Sequence, residues 1–409
     1  MPYSTQRTRR NTGSNTNSGY RGRSRSYGGG GNGSSSRRRP AKAYIHPSRF
    51  IQAAKPRAEV VYESTNTFED FDMHSQLKVN LDKKGFISPS AIQDQAIPHG
   101  LEGKDVVGIA NTGTGKTIAF AIPVLHKLMN EPQSNALIMA PTRELAQQIE
   151  DECRIIARGS GLTGALLIGG SSMGIQLRDL RGKPRIVIGT PGRIKDHIER
   201  GTLHINTFNI VVLDEVDRML DMGFIQDMRD ILERLNPIRQ SFFFSATMDP
   251  KVSTLIDTFS NSPITISVKT GETSENVEQD IVPYQTGSEK IQQLHDLLTS
   301  EGVTKALVFD ETQRSVERLN EELISRGFKA DAIHGGKSQG QRQRALDKFK
   351  KSHVNILVAT DVAARGIDVS DISHVINYSE PQAYDDYIHR IGRAGRAGKV
   401  GYAFTFVKA

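Results

Sequence analysis

Two tandem α/β domains with parallel sheets, preceded by a disordered basic tail, are predicted from three observations. From about residue 67 onward, short β-branched runs alternate with helix-periodic stretches; the alternation occurs as two successive series; and the residues before it carry few large apolar groups. Strands bounded by helices at this rhythm pair in parallel through βαβ crossovers. A segment without enough apolar surface cannot offset the entropy of ordering itself.

The first series has candidate strands at Val106–Ala110, Ala136–Ala140, Ala165–Ile168, Ile186–Thr190, Asn209–Leu213 and Ser241–Ser245. The second has Ala306–Asp310, Asp331–His334, Asn355–Thr360, His374–Tyr378 and Gly401–Val407. The polar stretch from Lys269 to Asn276 separates them and reads as a linker. The expected division is a tail over 1–66, a first domain over 67–270, a linker over 271–276 and a second domain over 277–409.

A chain of 409 residues with 37% hydrophobic content can fill two cores. No apolar run approaches the roughly 20 residues that a membrane span needs. The lone cysteine, Cys153, rules out an internal disulfide framework and a cysteine-cluster zinc site; it lies in the helix-like stretch Leu145 to Arg158 and reads as a core filler. A reducing, cytoplasmic setting and a monomer are expected.

The formal charge of +7 conceals a split. Residues 1–58 hold 13 Lys or Arg and no Asp or Glu, so the rest of the chain is net acidic. Arginines interleaved with glycines, Tyr20 and Tyr27 suit phosphates and stacking on bases, which makes the tail a candidate nucleic-acid arm. A solubilising leader and an organelle transit peptide are the alternatives. The run Gly28 to Gly31 argues against an amphipathic transit helix, and there is no apolar secretory core.

Strand Val106–Ala110 leads into Asn111-Thr112-Gly113-Thr114-Gly115-Lys116-Thr117. Glycines here let backbone N–H groups and a helix N-terminus surround a polyphosphate, with Lys116 on the outer phosphates and the Thr117 hydroxyl on magnesium. The strict pattern of such loops fails at its first position, which is Ala110. The apolar run Asn209–Leu213 ends in Asp214-Glu215-Val216-Asp217. Asp214 is placed to hold magnesium and Glu215 to orient or deprotonate an attacking water. Arg218, Asp221 and the rest of the following helix read as a solvated face. A third element, Arg390 to Arg396, comes too late to belong to the same domain, so two domains are expected to meet over one nucleotide.

These motifs, in order, resemble the DEAD-box ATP-dependent RNA helicases, with DEVD as the variant of the acidic motif. The resemblance runs from Phe68 to about Val407. It includes Gly85-Phe86, Pro89 to Gln93, the phosphate loop, Pro141 to Ala146, Gly169-Gly170, Thr190 to Arg193, Asp214 to Asp217, Ser245-Ala246-Thr247, Ala359 to Asp368 and His389 to Arg396. It implies two RecA-like domains, ATP and Mg2+ as cofactors, and RNA as the partner. Gln93 resembles the amide that reads adenine, whose donor–acceptor pattern rejects guanine; Phe86 resembles the ring against that base. For Phe68 a core position is expected. Asn111, Thr112, Gly113, Thr114, Gly115, Lys116, Thr117, Gly366 and Asp368 complete the implied nucleotide contacts, Asp368 at the ribose.

Ser245 and Thr247 are similar to the pair that bonds Asp217 and couples hydrolysis to domain movement, with His389 in the same group. Arg393 and Arg396 are similar to arginine fingers. Pro141, Thr142, Arg143, Gly170, Thr190, Gly192 and Arg193 of the first domain, with Gln339, Arg342 and Thr360 of the second, match positions along an RNA backbone. Small residues allow close approach there, and hydroxyls and guanidinium groups suit phosphate and 2′-OH, so sequence-independent binding is implied.

The sequence departs from the family at Asn111, at Val216, which adds two methyls next to the magnesium site and is expected to be tolerated, and at Gly336, where an aspartate is common. It ends at Ala409 after a strand, without the final helix of most members, so a minimal or shortened second domain is expected. An RNA-dependent ATPase that unwinds short duplexes or remodels RNA–protein contacts is the resulting expectation. An ATP-dependent RNA clamp and a DNA-directed helicase are the rivals; Gln93 and the 2′-OH-suited positions disfavour the latter.

Overall fold

Thirteen strands among the described residues form two parallel sheets, and their order explains where the motif residues meet. The structure, a computed structural model, describes residues 45–54, 62–111, 113–268, 276–364, 369, 371–395 and 400–409. The first sheet comprises β1 (Val106–Ala110), β2 (Ala136–Met139), β3 (Gly164–Leu167), β4 (Ile186–Gly189), β5 (Ile210–Leu213), β6 (Gln240–Ser245) and β7 (Ile264–Val268), in the order β3-β4-β2-β5-β6-β1-β7. The second comprises β8 (Val277–Tyr284), β9 (Ala306–Phe309), β10 (Ala330–Ile333), β11 (Ile356–Ala359), β12 (His374–Asn377) and β13 (Gly401–Lys408), in the order β10-β11-β9-β12-β13-β8.

The inner strands are buried along their whole length: β1, β2, β4, β5, β6, β9, β11 and β12 show no exposed residue. Helices cover both faces of a parallel sheet, which is why these strands read as continuous apolar runs. Phe242, Phe243 and Phe244 of β6 point alternately into the two cores of the first domain, and each fully buried ring contributes roughly 1.5–3 kcal/mol. Phe68 is in that core, as expected, and so is Cys153, whose thiol burial pushes up. No helix among the described residues is long and apolar enough to cross a membrane.

The sequence reading missed two strands, β7 and β8, both at sheet edges. β7 alternates exposed and covered positions, and β8 carries Glu278, Gln279 and Asp280 with Pro283, so neither resembles a buried strand. An edge strand tolerates proline and polar residues because one side of its backbone needs no partner. Most of the linker, 269–275, lies outside the described residues, as do 1–44 and 55–61 of the tail.

The proposed tail boundary at residue 66 is too late. Tyr62 Oη donates to Asp94 Oδ2 at 2.7 Å, as does the Thr65 amide at 2.7 Å, and Asn66 Nδ2 donates to Oδ1 at 2.7 Å. Burial acts to raise the Asp94 pKa, but these bonds from Asn66, Tyr62 and Thr65 hold it below the ordinary carboxylate value. Residues 45–54 are folded too, against the second domain, with Pro47–Phe50 as a turn of 3-10 helix.

Candidate active site and RNA-facing surface

Ligands of open parallel sheets sit beyond the carboxyl ends of the strands. The neighbours β5, β6 and β1 therefore set Asp214, Ser245 and the loop 111–116 side by side. Gly113 and Gly115 hold φ of 84° and 89°, a left-handed conformation that a side chain at Cβ disfavours, and Gly115 leads into the helix Lys116–Asn130. Thr114 closes the turn through its hydroxyl on Asn111 O at 2.8 Å. Thr112, Gly366, Asp368 and Arg396 lie outside the described residues.

Lys116 is buried, not set on an open loop, and its Nζ donates to Ala110 O at 3.0 Å. Asp214 faces it from β5. Burial raises the Asp214 carboxyl to about 6, with Glu215 and Asp217 adding to the rise and Lys116 opposing it. For Glu215 burial again acts upward, but Arg218, Lys116, Arg393 and His389 together hold the carboxyl below its ordinary value. Glu215 also sits at φ 52°, ψ 55°, a left-handed position that costs on the order of 1–3 kcal/mol for a non-glycine residue and recurs at functional sites.

Arg218 is no solvated residue: it is 5% exposed and its Nη1 lies 3.5 Å from Glu215 Oε2. Its spacing of three from Glu215, one turn of the helix that starts at Val216, was the available signal. Val216 is fully buried in the core with Met219 and Val252, so its added methyls fill the core instead of crowding the carboxylates.

Asp217 Oδ2 accepts from the amides of Ala246 and Thr247 at 3.0 Å each and from Thr247 Oγ1 at 3.2 Å. The expected partner Ser245 makes no such bond: its Oγ is buried without a hydrogen-bond partner among the described residues. The end of β6 aims the two following amides at the carboxylate, and backbone donors take the place assigned to the serine.

Gln93 ties the loop together. Its Oε1 accepts from Ser90 N at 2.9 Å, capping the helix Ala91–Leu101, and its Nε2 donates to Gly115 O at 3.0 Å. One hydrogen and one lone pair of the amide remain for another partner. Phe86 is half-buried and meets Phe68 edge-on at 6.0 Å.

A second group of motif residues gathers where β3, β4 and β2 end next to one another. Thr142 caps the helix Arg143–Ile156, its Oγ1 accepting from Leu145 N at 3.2 Å, and Thr190 precedes the helix Pro191–Glu199. Pro141 and Gly192 flank these caps. Arg143 crosses the β3 loop so closely that a Cβ on Gly170 would collide with its guanidinium, and one on Gly169 would lie 3.0 Å from Nη2. The two glycines therefore make room for Arg143. Arg193 lies 3.8 Å from Asp196 Oδ2.

The second domain meets this surface. Gln339 Nε2 donates to Glu144 Oε1 at 3.3 Å, and Arg342 Nη2 pairs with the same oxygen at 2.9 Å. Glu144, which the sequence reading did not single out, thus joins the two domains. Glu144 Oε2, Gln339 Oε1 and Arg342 Nε are buried there without hydrogen-bond partners among the described residues. Thr360 O accepts from the amides of Ala363 and Ala364. A Cβ on Gly336 would lie 2.6 Å from Gln313 Oε1, the tip of an exposed side chain that can turn aside, so packing gives no explanation for the glycine.

Arg393 is 4% exposed and follows the helix Tyr384–Ile391, which carries His389. Arg218 of the first domain and Phe309, Asp361, His389, Arg390 and Arg393 of the second line a small cavity. Arg390, not assigned a role from sequence, grips Asp361 through Nε at 2.5 Å and Nη2 at 2.7 Å and reaches Asn377 Oδ1 at 3.1 Å. It fixes the helix Asp361–Ala364 in the second domain.

Groups from two parallel-sheet domains therefore converge on one buried pair of carboxylates. Residues 90–255 match the model of the DEAD/DEAH box helicase family, and residues 289–398 that of the helicase conserved C-terminal domain. The chain is a DEAD-box ATP-dependent RNA helicase. It is 44% identical over 345 residues to the DEAD-box ATP-dependent RNA helicase CshA of Bacillus subtilis, covering 84% of this chain and 70% of that one. The Bacillus licheniformis CshA gives 44% identity over 345 residues, with 84% and 71% covered. Among solved structures, Saccharomyces cerevisiae Dbp5 bound to RNA and ADP BeF3 superposes with a TM-score of 0.73 at 28% identity, over 84% of this chain and 90% of that chain. The helicase thus has the RecA-like architecture implied by its motifs.

Proposed function

We propose that this helicase hydrolyses ATP only when RNA holds its two domains together, and that closure separates short duplexes locally. The observation that carries the reading is geometric: Arg393 and His389 of the second domain line one small cavity with Arg218 of the first, whose Nη1 lies 3.5 Å from Glu215 Oε2. Phosphoryl transfer spreads negative charge over the oxygens of the transferred group, so a cation brought in by a second domain makes turnover depend on domain contact. Lys116 and the N-terminus of its 15-residue helix would hold the phosphates, and Glu215 would orient the attacking water. Arg396 is proposed as a second finger from its motif alone.

Magnesium fits the residues present. Asp214 is a buried carboxylate whose charge is disfavoured by its surroundings, which a divalent cation would reverse, and Thr117 lies one position beyond Lys116. No cluster of three or more metal-binding side chains exists among the described residues. The ion would be held by the Asp214 carboxylate, the Thr117 hydroxyl and the nucleotide phosphates. When bound, it would neutralise phosphate charge.

RNA is proposed to run over the caps at Thr142 and Thr190, past Arg143 and Arg193, and on to Gln339, Arg342 and Thr360. Helix N-termini attract phosphate, and Thr142 and Thr190 stand at two of them, which supports that path. That Dbp5, similar in fold, is bound to RNA and ADP BeF3 supports RNA and a nucleotide as the ligands. Residues 1–44 are proposed as a basic RNA arm.

Two measurements test this function. A short RNA duplex with one labelled strand should release that strand when ATP is added; RNA-stimulated hydrolysis without release would instead make the protein a clamp. The remaining donor and acceptor of Gln93 favour adenine, so turnover with GTP should be far below that with ATP, and equal rates would remove the adenine-reading role.

A further inference from the structure

Residues 45–54 precede the first domain in sequence yet fold onto the second. Each residue type has a job there. His46 caps the short turn, its Nδ1 accepting from Ser48 N at 3.3 Å, and Pro47 starts that turn with a φ already suited to it. Phe50 is 1% exposed and lies in the core of the second domain with Val277, Tyr387, Ile391 and Ala394, while Ile45 packs against the same cluster. Gln52 then pairs antiparallel with Gln279 through two backbone bonds, 2.9 Å and 2.8 Å, on the edge of β8 that faces away from β13.

What the segment touches is the helix that leads to the arginine finger. The Phe50 ring is 4.7 Å from that of Tyr387, and Arg49 Cζ stands 3.6 Å over the ring of Tyr384. Both tyrosines belong to the helix Tyr384–Ile391, two residues before Arg393. The Tyr387 hydroxyl donates to Gln279 Oε1 at 2.9 Å, so Gln279 holds the segment by its backbone and the helix by its side chain. The turn after the helix is fixed from below: a Cβ on Gly395 would lie 2.9 Å from Val277 Cγ2, and one on Gly401 would lie 2.6 Å from Ala394 Cβ. The finger turn therefore rests on β8 and β13, and the helix before it rests on residues 45–54.

We propose that residues 45–54 form a strap that positions the helix Tyr384–Ile391, with Phe50 a positioning residue for ATP hydrolysis. The inference rests on reading Arg393 as the finger. An arginine that must meet a transition state tolerates little displacement, and a misplacement of about 1 Å can cost about 100-fold. Ground-state nucleotide contacts sit mainly on the first domain, so a loosened finger lowers kcat and spares ATP binding.

The test measures kcat, KM for ATP and the half-saturating RNA concentration for the full chain carrying Phe50→Ala, Phe50→Leu or Arg393→Ala, each with a melting curve to fix the folded fraction. Phe50→Ala is expected to lower kcat per folded molecule about 10- to 100-fold with both other constants near the parent values, and Phe50→Leu, which keeps an apolar group on Tyr387, to retain most of the turnover. A chain deleted for residues 45–54 should regain kcat saturably when a peptide of residues 45–54 is added. Unchanged kcat in Phe50→Ala, parallel changes in all three constants, or no rescue by the peptide would each overturn the strap. Full turnover by Arg393→Ala would instead overturn the finger reading, while loss in Arg393→Ala with parent turnover in Phe50→Ala would overturn the strap alone.

Discussion

Replacing Arg393 by alanine is expected to lower kcat by on the order of 10³-fold, the usual cost of losing an arginine finger. The side chain lines the small cavity with Arg218 and His389, and after Arg218 and Lys116 it helps hold the Glu215 carboxyl below its ordinary value. Its removal withdraws positive charge from the place where the transferred phosphoryl group gains negative charge. RNA affinity measured without nucleotide by fluorescence anisotropy should stay close to the parent value, because the proposed RNA path, over Thr142, Arg143, Thr190, Gln339 and Arg342, does not include Arg393. Equal loss of RNA binding and turnover would place Arg393 on the RNA instead.

Glu215→Gln is expected to cost about 10²- to 10⁴-fold in turnover, the range for a group that takes or directs a proton in the transition state. The amide keeps the size of the side chain but gives up the charge that Arg218, Lys116, Arg393 and His389 stabilise. ATP binding should survive, and the ATP-bound variant should hold RNA longer than the parent, since release awaits hydrolysis. Single-turnover hydrolysis and RNA dissociation rates read both effects; hydrolysis at the parent rate would remove Glu215 from the reaction.

Most of this architecture was legible because buried parallel strands are continuous apolar runs. β1, β5 and β9 begin and end within one residue of their sequence-based limits, while β7 and β8 escaped notice because edge strands need no such run. At the site, the loop glycines and Asp214 were legible from motif and spacing, and the Asp217–Thr247 bond from the family resemblance. Three features were not. Ser245 makes no hydrogen bond to Asp217, whose Oδ2 is taken by the amides of Ala246 and Thr247, and which groups reach a carboxylate at a strand end depends on the loop beyond it. Glu144 joins the domains although only three-dimensional packing brings it to Gln339 and Arg342. Residues 45–54 looked like part of a polar tail, yet one aromatic side chain, Phe50, has a complete pocket 337 positions away around Tyr387. Anchors of that kind leave no local periodicity to detect.

In the proposed mechanism the catalytic groups of the two domains act together only when RNA joins them. The measurement that tests it most directly is steady-state ATP turnover by the full chain as single-stranded RNA is titrated in. Turnover should be low without RNA, rise steeply and saturate; the same turnover with and without saturating RNA would contradict the account.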